Sequence, residues 1–113
     1  MSSARDTKLF FFAFMSRLIT GSALTTQLKS LTRWKAESGD KALLCKVEFI
    51  DFGQAWGFMS RVALKAEVLN HHPEWTNIFN RIDIRLTTHD AGGITDKDIQ
   101  LAKFINEIIP NDS

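Results

Sequence analysis

Three residues that could do proton chemistry crowd one short stretch of this chain, Glu67, His71 and His72, with Pro73 directly after them. A third histidine, His89, follows in Thr87-Thr88-His89-Asp90, and these are all the histidines of the chain. An unperturbed imidazole titrates at about 6.5, so it can give or take a proton near neutral pH. The spacing of Glu67 and His71 is the one that puts two side chains on the same face of a helix. If the chain leaves that helix extended, His71 and His72 point in different directions. His89 ends a separate segment, so two segments ending near each other would bring three imidazoles to one pocket. Each residue also has a plain reading. A His-His-Pro run can simply cap and turn a helix. Trp34 and Trp75 can be core. Glu67 can be a solvated helix residue.

The elements that must position these residues can be read from periodicity. Ser22 is expected to cap a first helix, on which Leu24, Leu28 and Leu31 form one stripe. Glu37-Ser38-Gly39-Asp40 is a turn cluster, so 34–36 and 42–50 read as a hairpin. In its second strand Leu43, Cys45, Val47 and Phe49 share a face. Asp51 is an N-cap with Gln54 three residues on, an approximate capping box. A long helix then runs over 52–69, with Phe52, Ala55, Met59, Val62, Ala63, Ala66 and Leu69 as its apolar face. Pro73 stops it, because the residue before a proline is pushed out of the helical region. Residues 78–88 alternate Ile82, Ile84 and Leu86 with Asp83, Arg85 and Thr87, a half-buried strand whose partner is 75–79. Thr95 caps a last helix, with Asp96 and Asp98 in its first turn. That helix has a broad apolar surface, which implies packing on a sheet and on another subunit, or a deep core. The fold class is therefore α+β, in the order helix-strand-strand-helix-strand-strand-helix. It is a four-stranded antiparallel sheet with three helices on one face.

Composition sets the outer bounds. The chain has 113 residues, 44% of them hydrophobic, with nine Phe and three Trp, which suits one globular domain. That domain is read over 21–109, with 1–20 an N-terminal extension and 110–113 a tail. Lys plus Arg is 14 against 13 Asp plus Glu, so the basic excess of a phosphate-binding protein is missing and no direct nucleic-acid partner is expected. The single cysteine, Cys45, lies in an apolar run and reads as a small buried hydrophobe. A reducing compartment follows: the cytoplasm, with the nucleus open and organelle targeting by residues 1–18 left open. The apolar run 9–15 is too short to span a bilayer. It reads as an arm on the body or on a neighbouring subunit rather than a cleaved leader, and no membrane association is expected.

On these residues the chain resembles the pterin-4a-carbinolamine dehydratases. The family pattern is an acidic or polar residue, three spacers, His-His-Pro, then an aromatic, a further His and an Asp. Here it reads Glu67, His71-His72-Pro73, Phe79, His89 and Asp98. The segments 56–64 and 98–102 are also similar to the family. The resemblance spans 24–108. Asn70 and Phe79 stand where many animal members have Asp and Tyr, and Ala91 stands in place of a Cys. Residues 1–18 have no counterpart.

The resemblance implies dehydration of 4a-hydroxytetrahydrobiopterin to quinonoid dihydrobiopterin, which recycles tetrahydrobiopterin. Hydroxide leaves poorly, so an acid must protonate the 4a oxygen while a base takes a ring-nitrogen proton. Eliminating water requires no redox cofactor and no metal. By resemblance His71, His72 and His89 are catalytic. Glu67, Pro73, Thr88, Asp90, Ala91 and Trp34 contact the pterin. The family also implies a homo-dimer or homo-tetramer. Two alternatives stand beside this reading. Three His with Glu67 or Asp90 could bind zinc, although adjacent histidines rarely face one metal. And some animal members stabilise dimers of a homeodomain transcription factor, so the chain could be a non-catalytic dimerisation cofactor.

Overall fold

The computed structural model describes residues 17–110; the apolar run 9–15 lies outside them. The elements in order are α1 (Gly21–Leu28), β1 (Lys35–Ala36), β2 (Leu43–Glu48), α2 (Phe52–Leu69), β3 (Glu74–Ile78), β4 (Arg81–Leu86) and α3 (Asp96–Ile108). Short 3-10 turns cover Ser38–Asp40 and His89–Ala91. The expected order of elements and the α+β class hold.

The four strands form one antiparallel sheet in the order β1-β2-β4-β3. Its register follows from the alternation in the sequence. Leu43 faces Leu86, Cys45 faces Ile84 and Val47 faces Ile82, and all six side chains are buried. They share one core with Leu24 of α1, Ala55, Phe58, Met59 and Val62 of α2, and Ile99, Leu101 and Ile105 of α3. The helices thus cover one face. The other face carries Lys46 opposite Asp83, Glu48 opposite Arg81 and Glu74 opposite Arg85. Among the described residues no helix is long and apolar enough to cross a membrane.

Several local expectations need correction. Ser22 does not cap α1; Thr20 occupies that position and makes no side-chain cap bond. The Gly21 amide is instead met by Asp40 Oδ2 at 3.2 Å. A distant carboxylate supplies the acceptor that local pattern assigns to a hydroxyl. The core stripe of α2 is Ala55, Phe58, Met59, Val62 and Ala66, so Phe58 belongs to it, whereas Phe52 is 49% exposed. Ala63 is exposed too. Asp51 does cap α2, accepting from the Gln54 amide at 2.8 Å. The broad apolar surface of α3 is accounted for by depth: Ile99, Leu101, Ala102 and Ile105 are all buried in the chain's own core.

The β3–β4 hairpin turns at Phe79-Asn80, since Ile78 pairs with Arg81. Phe79 adopts φ 52, a conformation that L-residues enter at a cost. The Asn77 side chain braces the turn, donating to the Phe79 and Arg81 carbonyls at 3.1 and 2.9 Å.

Candidate active site

The exit from α2 sets the first half of the site. Asn70 takes the left-handed conformation (φ 52, ψ 45), which asparagine tolerates better than most residues. The His71 amide then reaches back to the Ala66 carbonyl at 3.0 Å, and the Asn70 amide to that of Glu67 at 3.2 Å. These two bonds are the Schellman closure of a helix. They swing His71 off the helical path and into the body of the protein, where it is 9% exposed.

This reversal corrects the expected pairing of Glu67 with His71. Side chains four apart meet only while the helix continues, and here it ends between them. Glu67 Oε2 pairs instead with His72 Nε2 at 2.7 Å, on the exposed side. His71 Nε2 lies 2.5 Å from Oδ1 of Asp98 on α3.

Asp98 is fully buried, and all its neighbours are donors. Oδ2 accepts from Thr88 Oγ1 at 2.8 Å and from the Thr95 amide at 2.9 Å. The Thr88 hydroxyl has one proton and gives it to Asp98, so the 2.7 Å contact between Thr88 and Thr95 is donated by Thr95. An acceptor-only carboxylate leaves His71 Nε2 as the donor to Oδ1. The free ring nitrogen of His71 is then Nδ1. The Thr95 amide bond is one half of the α3 capping box, so one carboxylate both starts a helix and orients an imidazole.

The second half of the site lies in the loop after β4. Thr88 pairs with Gly93 across a tight turn, its carbonyl accepting from the amides of Ala91 and Gly92 at 3.1 and 2.9 Å. Gly92 has φ 78, and its lack of a side chain permits that conformation. The turn presents His89, which is 81% exposed, with Nε2 3.2 Å from Glu74 Oε1. Asp90 is exposed and Ala91 half-buried beside it.

Asp98 therefore draws together the two segments that carry the histidines, through His71 on one side and Thr88 on the other. Each histidine faces its own carboxylate: His71 with Asp98, His72 with Glu67, His89 with Glu74. Among the described residues no three His, Cys, Asp or Glu side chains gather as a metal site. Pro73 is half-buried between His72 and Glu74. Trp34 is 4% exposed, and its indole N–H donates to Asn106 Oδ1 at 2.9 Å; it belongs to the core cluster. Cys45 is a buried thiol pushed up to about 11 by desolvation, which outweighs the opposing pull of Arg33. A groove of about 920 Å³ lies on the open sheet face, lined by Arg33, Lys35, Lys46, Glu74, Asp83 and Arg85 among others. None of the three histidines lines it.

Two partners escaped the sequence reading. Asp98 was visible as a first-turn residue and as a position of the family pattern, but nothing local ties it to His71, 27 residues away. Glu74 directly follows Pro73, yet its reach to His89 depends on strand pairing.

An α+β domain with three imidazole–carboxylate pairs on two adjoining segments has the equipment of an acid–base protein. The comparisons narrow this class. Residues 17–108 match the family described as pterin 4 alpha carbinolamine dehydratase. A Burkholderia pseudomallei protein named "Putative pterin-4-alpha-carbinolamine dehydratase" is 50% identical over 94 residues, 83% of this chain and 93% of that protein. A Burkholderia orbicola protein of the same name is 49% identical over 92 residues, 81% and 90% of the two chains. The crystal structure of a transcriptional coactivator/pterin dehydratase from Brucella melitensis superposes with a TM-score of 0.79 at 42% identity, covering 83% of this chain and 99% of that one. The chain belongs to the pterin-4a-carbinolamine dehydratase family, a family named for a lyase activity.

Proposed function

We propose that this protein dehydrates 4a-hydroxytetrahydrobiopterin to quinonoid dihydrobiopterin and water, and so recycles tetrahydrobiopterin. The observation that carries this reading is the three histidines of the family pattern, each paired with a carboxylate. In the reaction the C4a–O bond breaks. The departing oxygen gains a proton, and a ring nitrogen loses one as the new double bond forms. His71 suits the role of base: Asp98 holds its Nε2–H, which leaves the Nδ1 lone pair for the incoming proton. His89, exposed on the loop after β4, serves as the acid. His72 positions the pterin, with Glu67 steadying its ring. Pro73, Thr88, Asp90 and Ala91 shape the surroundings; the Thr88 hydroxyl acts through Asp98.

The test follows the 4a-carbinolamine spectroscopically. Wild type speeds its loss, and His71→Ala and His89→Ala each lower the rate by about 10²-fold or more, within the usual range for acid–base groups. No acceleration by wild type rejects the enzyme reading; wild-type rates in both variants reject the assignment of roles.

Self-association belongs to the same reading. Phe52, Trp56, Leu64 and Val68 recur every fourth or eighth residue along α2 and are 49–79% exposed, an apolar ridge of the kind that packs helices together. We take a second copy of the chain as its occupant. The Brucella melitensis relative is described as a coactivator as well as a dehydratase, so a transcription-factor partner is the alternative occupant. A protein that binds a homeodomain factor in pull-down and does not dehydrate would favour that second role.

A further inference from the structure

A ladder of charge crosses the open face of the sheet and ends on His89. Glu37, in the loop after β1, places both carboxylate oxygens on Arg85, at 2.7 Å from Nε and 3.0 Å from Nη2. This is the two-pronged geometry that fixes a guanidinium in one orientation. The remaining prong, Nη1, then points at Glu74 Oε1, 3.1 Å away. That same oxygen lies 3.2 Å from His89 Nε2. Glu74 and Arg85 are direct neighbours across β3 and β4, so the sheet register itself aligns them.

The charges are mutually supporting. The Glu37 carboxylate lifts the Arg85 guanidinium above its ordinary range, and Arg85 in turn lowers Glu37. An isolated exposed ion pair contributes little, but a bidentate pair within a network holds better. Arg85 and Glu37 are each only about one-third exposed, whereas His89 is 81% exposed. The ordered end of the ladder is therefore at Arg85, and the end needing support is the imidazole.

We propose that Arg85 and Glu74 are positioning residues for His89, with Glu37 locking Arg85 in place. Arg85 selects the Glu74 rotamer that sets Oε1 3.2 Å from His89 Nε2, an ion-pair contact that holds the imidazole in place. Neither Arg85 nor Glu37 touches His89, so their effect on it must travel through Glu74. The kinetic arm below rests on the dehydratase reading; the structural arm does not.

The test uses the full-length chain with Arg85→Met, Glu37→Gln and Glu74→Gln. Side-chain rotamer populations and ring order of His89 are measured by NMR from three-bond couplings and imidazole relaxation. Wild type shows one dominant His89 rotamer, and all three variants show averaging. Glu37→Gln is informative because it leaves Glu74 and His89 intact. In the dehydration assay kcat falls about threefold to fivefold while KM stays within twofold. Unchanged His89 order in both Arg85→Met and Glu37→Gln overturns the proposal, whatever the rates. A rise in KM with His89 order and kcat intact makes Arg85 a substrate contact instead and also overturns it. A wild-type protein that does not dehydrate ends the dehydratase reading, and His89 order alone then decides the positioning.

Discussion

Burying a carboxylate is costly unless its oxygens find donors, and Asp98 shows the conditions under which it is tolerated. Its three partners come from three places: the α2 exit, the β4–α3 loop and the N-cap of α3. Replacing Asp98 with Asn keeps the shape but puts an amide where His71 Nε2 donates. Either two donors then clash or the ring changes tautomer, which would place a hydrogen on Nδ1. We expect Asp98→Asn to cost about 1–3 kcal/mol in stability and to lower dehydration kcat well beyond what Thr88→Val does. Denaturant melts and steady-state rates on both variants check this. A stable Asp98→Asn protein with full activity would remove His71 Nδ1 from the mechanism.

At the scale of the element, the left-handed Asn70 is the hinge on which the site turns. Had the helix continued one more residue, His71 would stay on the Glu67 side and miss Asp98. Glycine should serve as well as asparagine at φ 52. A β-branched residue should not. The expected outcome is that Asn70→Gly melts close to wild type, while Asn70→Val loses about 1–2 kcal/mol. Hydrogen exchange at the His71 amide, which closes the helix on Ala66, should speed up only in the valine variant. A β3–β4 hairpin of fixed register matters for the same reason: a slip of one residue would send Glu74 to the core face and separate it from Arg85.

For the whole molecule, the distribution of charge and apolar surface separates its two faces. Three cross-strand pairs of opposite charge nearly neutralise the open sheet face, and the net charge is +1. This arrangement does not favour a polyanion. The outer ridge of α2 is apolar instead. Leu64 is 71% exposed there, so Leu64→Glu should leave the fold intact while abolishing the proposed self-association. Sedimentation of wild type and variant at equal concentration reads this directly. A wild type already monomeric at micromolar concentration would sink the proposed self-association.

Short-range rules were enough to read much of this chain. Alternation at Ile82, Ile84 and Leu86 marks the buried face of β4. Asp51 and Thr95 mark two helix starts; Pro73 bounds α2 from beyond, but the left-handed Asn70 ends it earlier. The His-His-Pro spacing, extended to Phe79, His89 and Asp98, points to the family. The strand and cap signals survive because they depend on neighbours within a turn of helix or a few strand residues, and the family pattern because it is a spacing along the chain. What the sequence could not decide was which carboxylate meets which histidine. Helical spacing joins Glu67 to His71, but the left-handed Asn70 hands Glu67 to His72 and sends His71 to Asp98. Glu74 reaches His89 only because β3 pairs with β4. Those partners are set by chain reversal and strand register, which are properties of the packed molecule and not of any local run of residues.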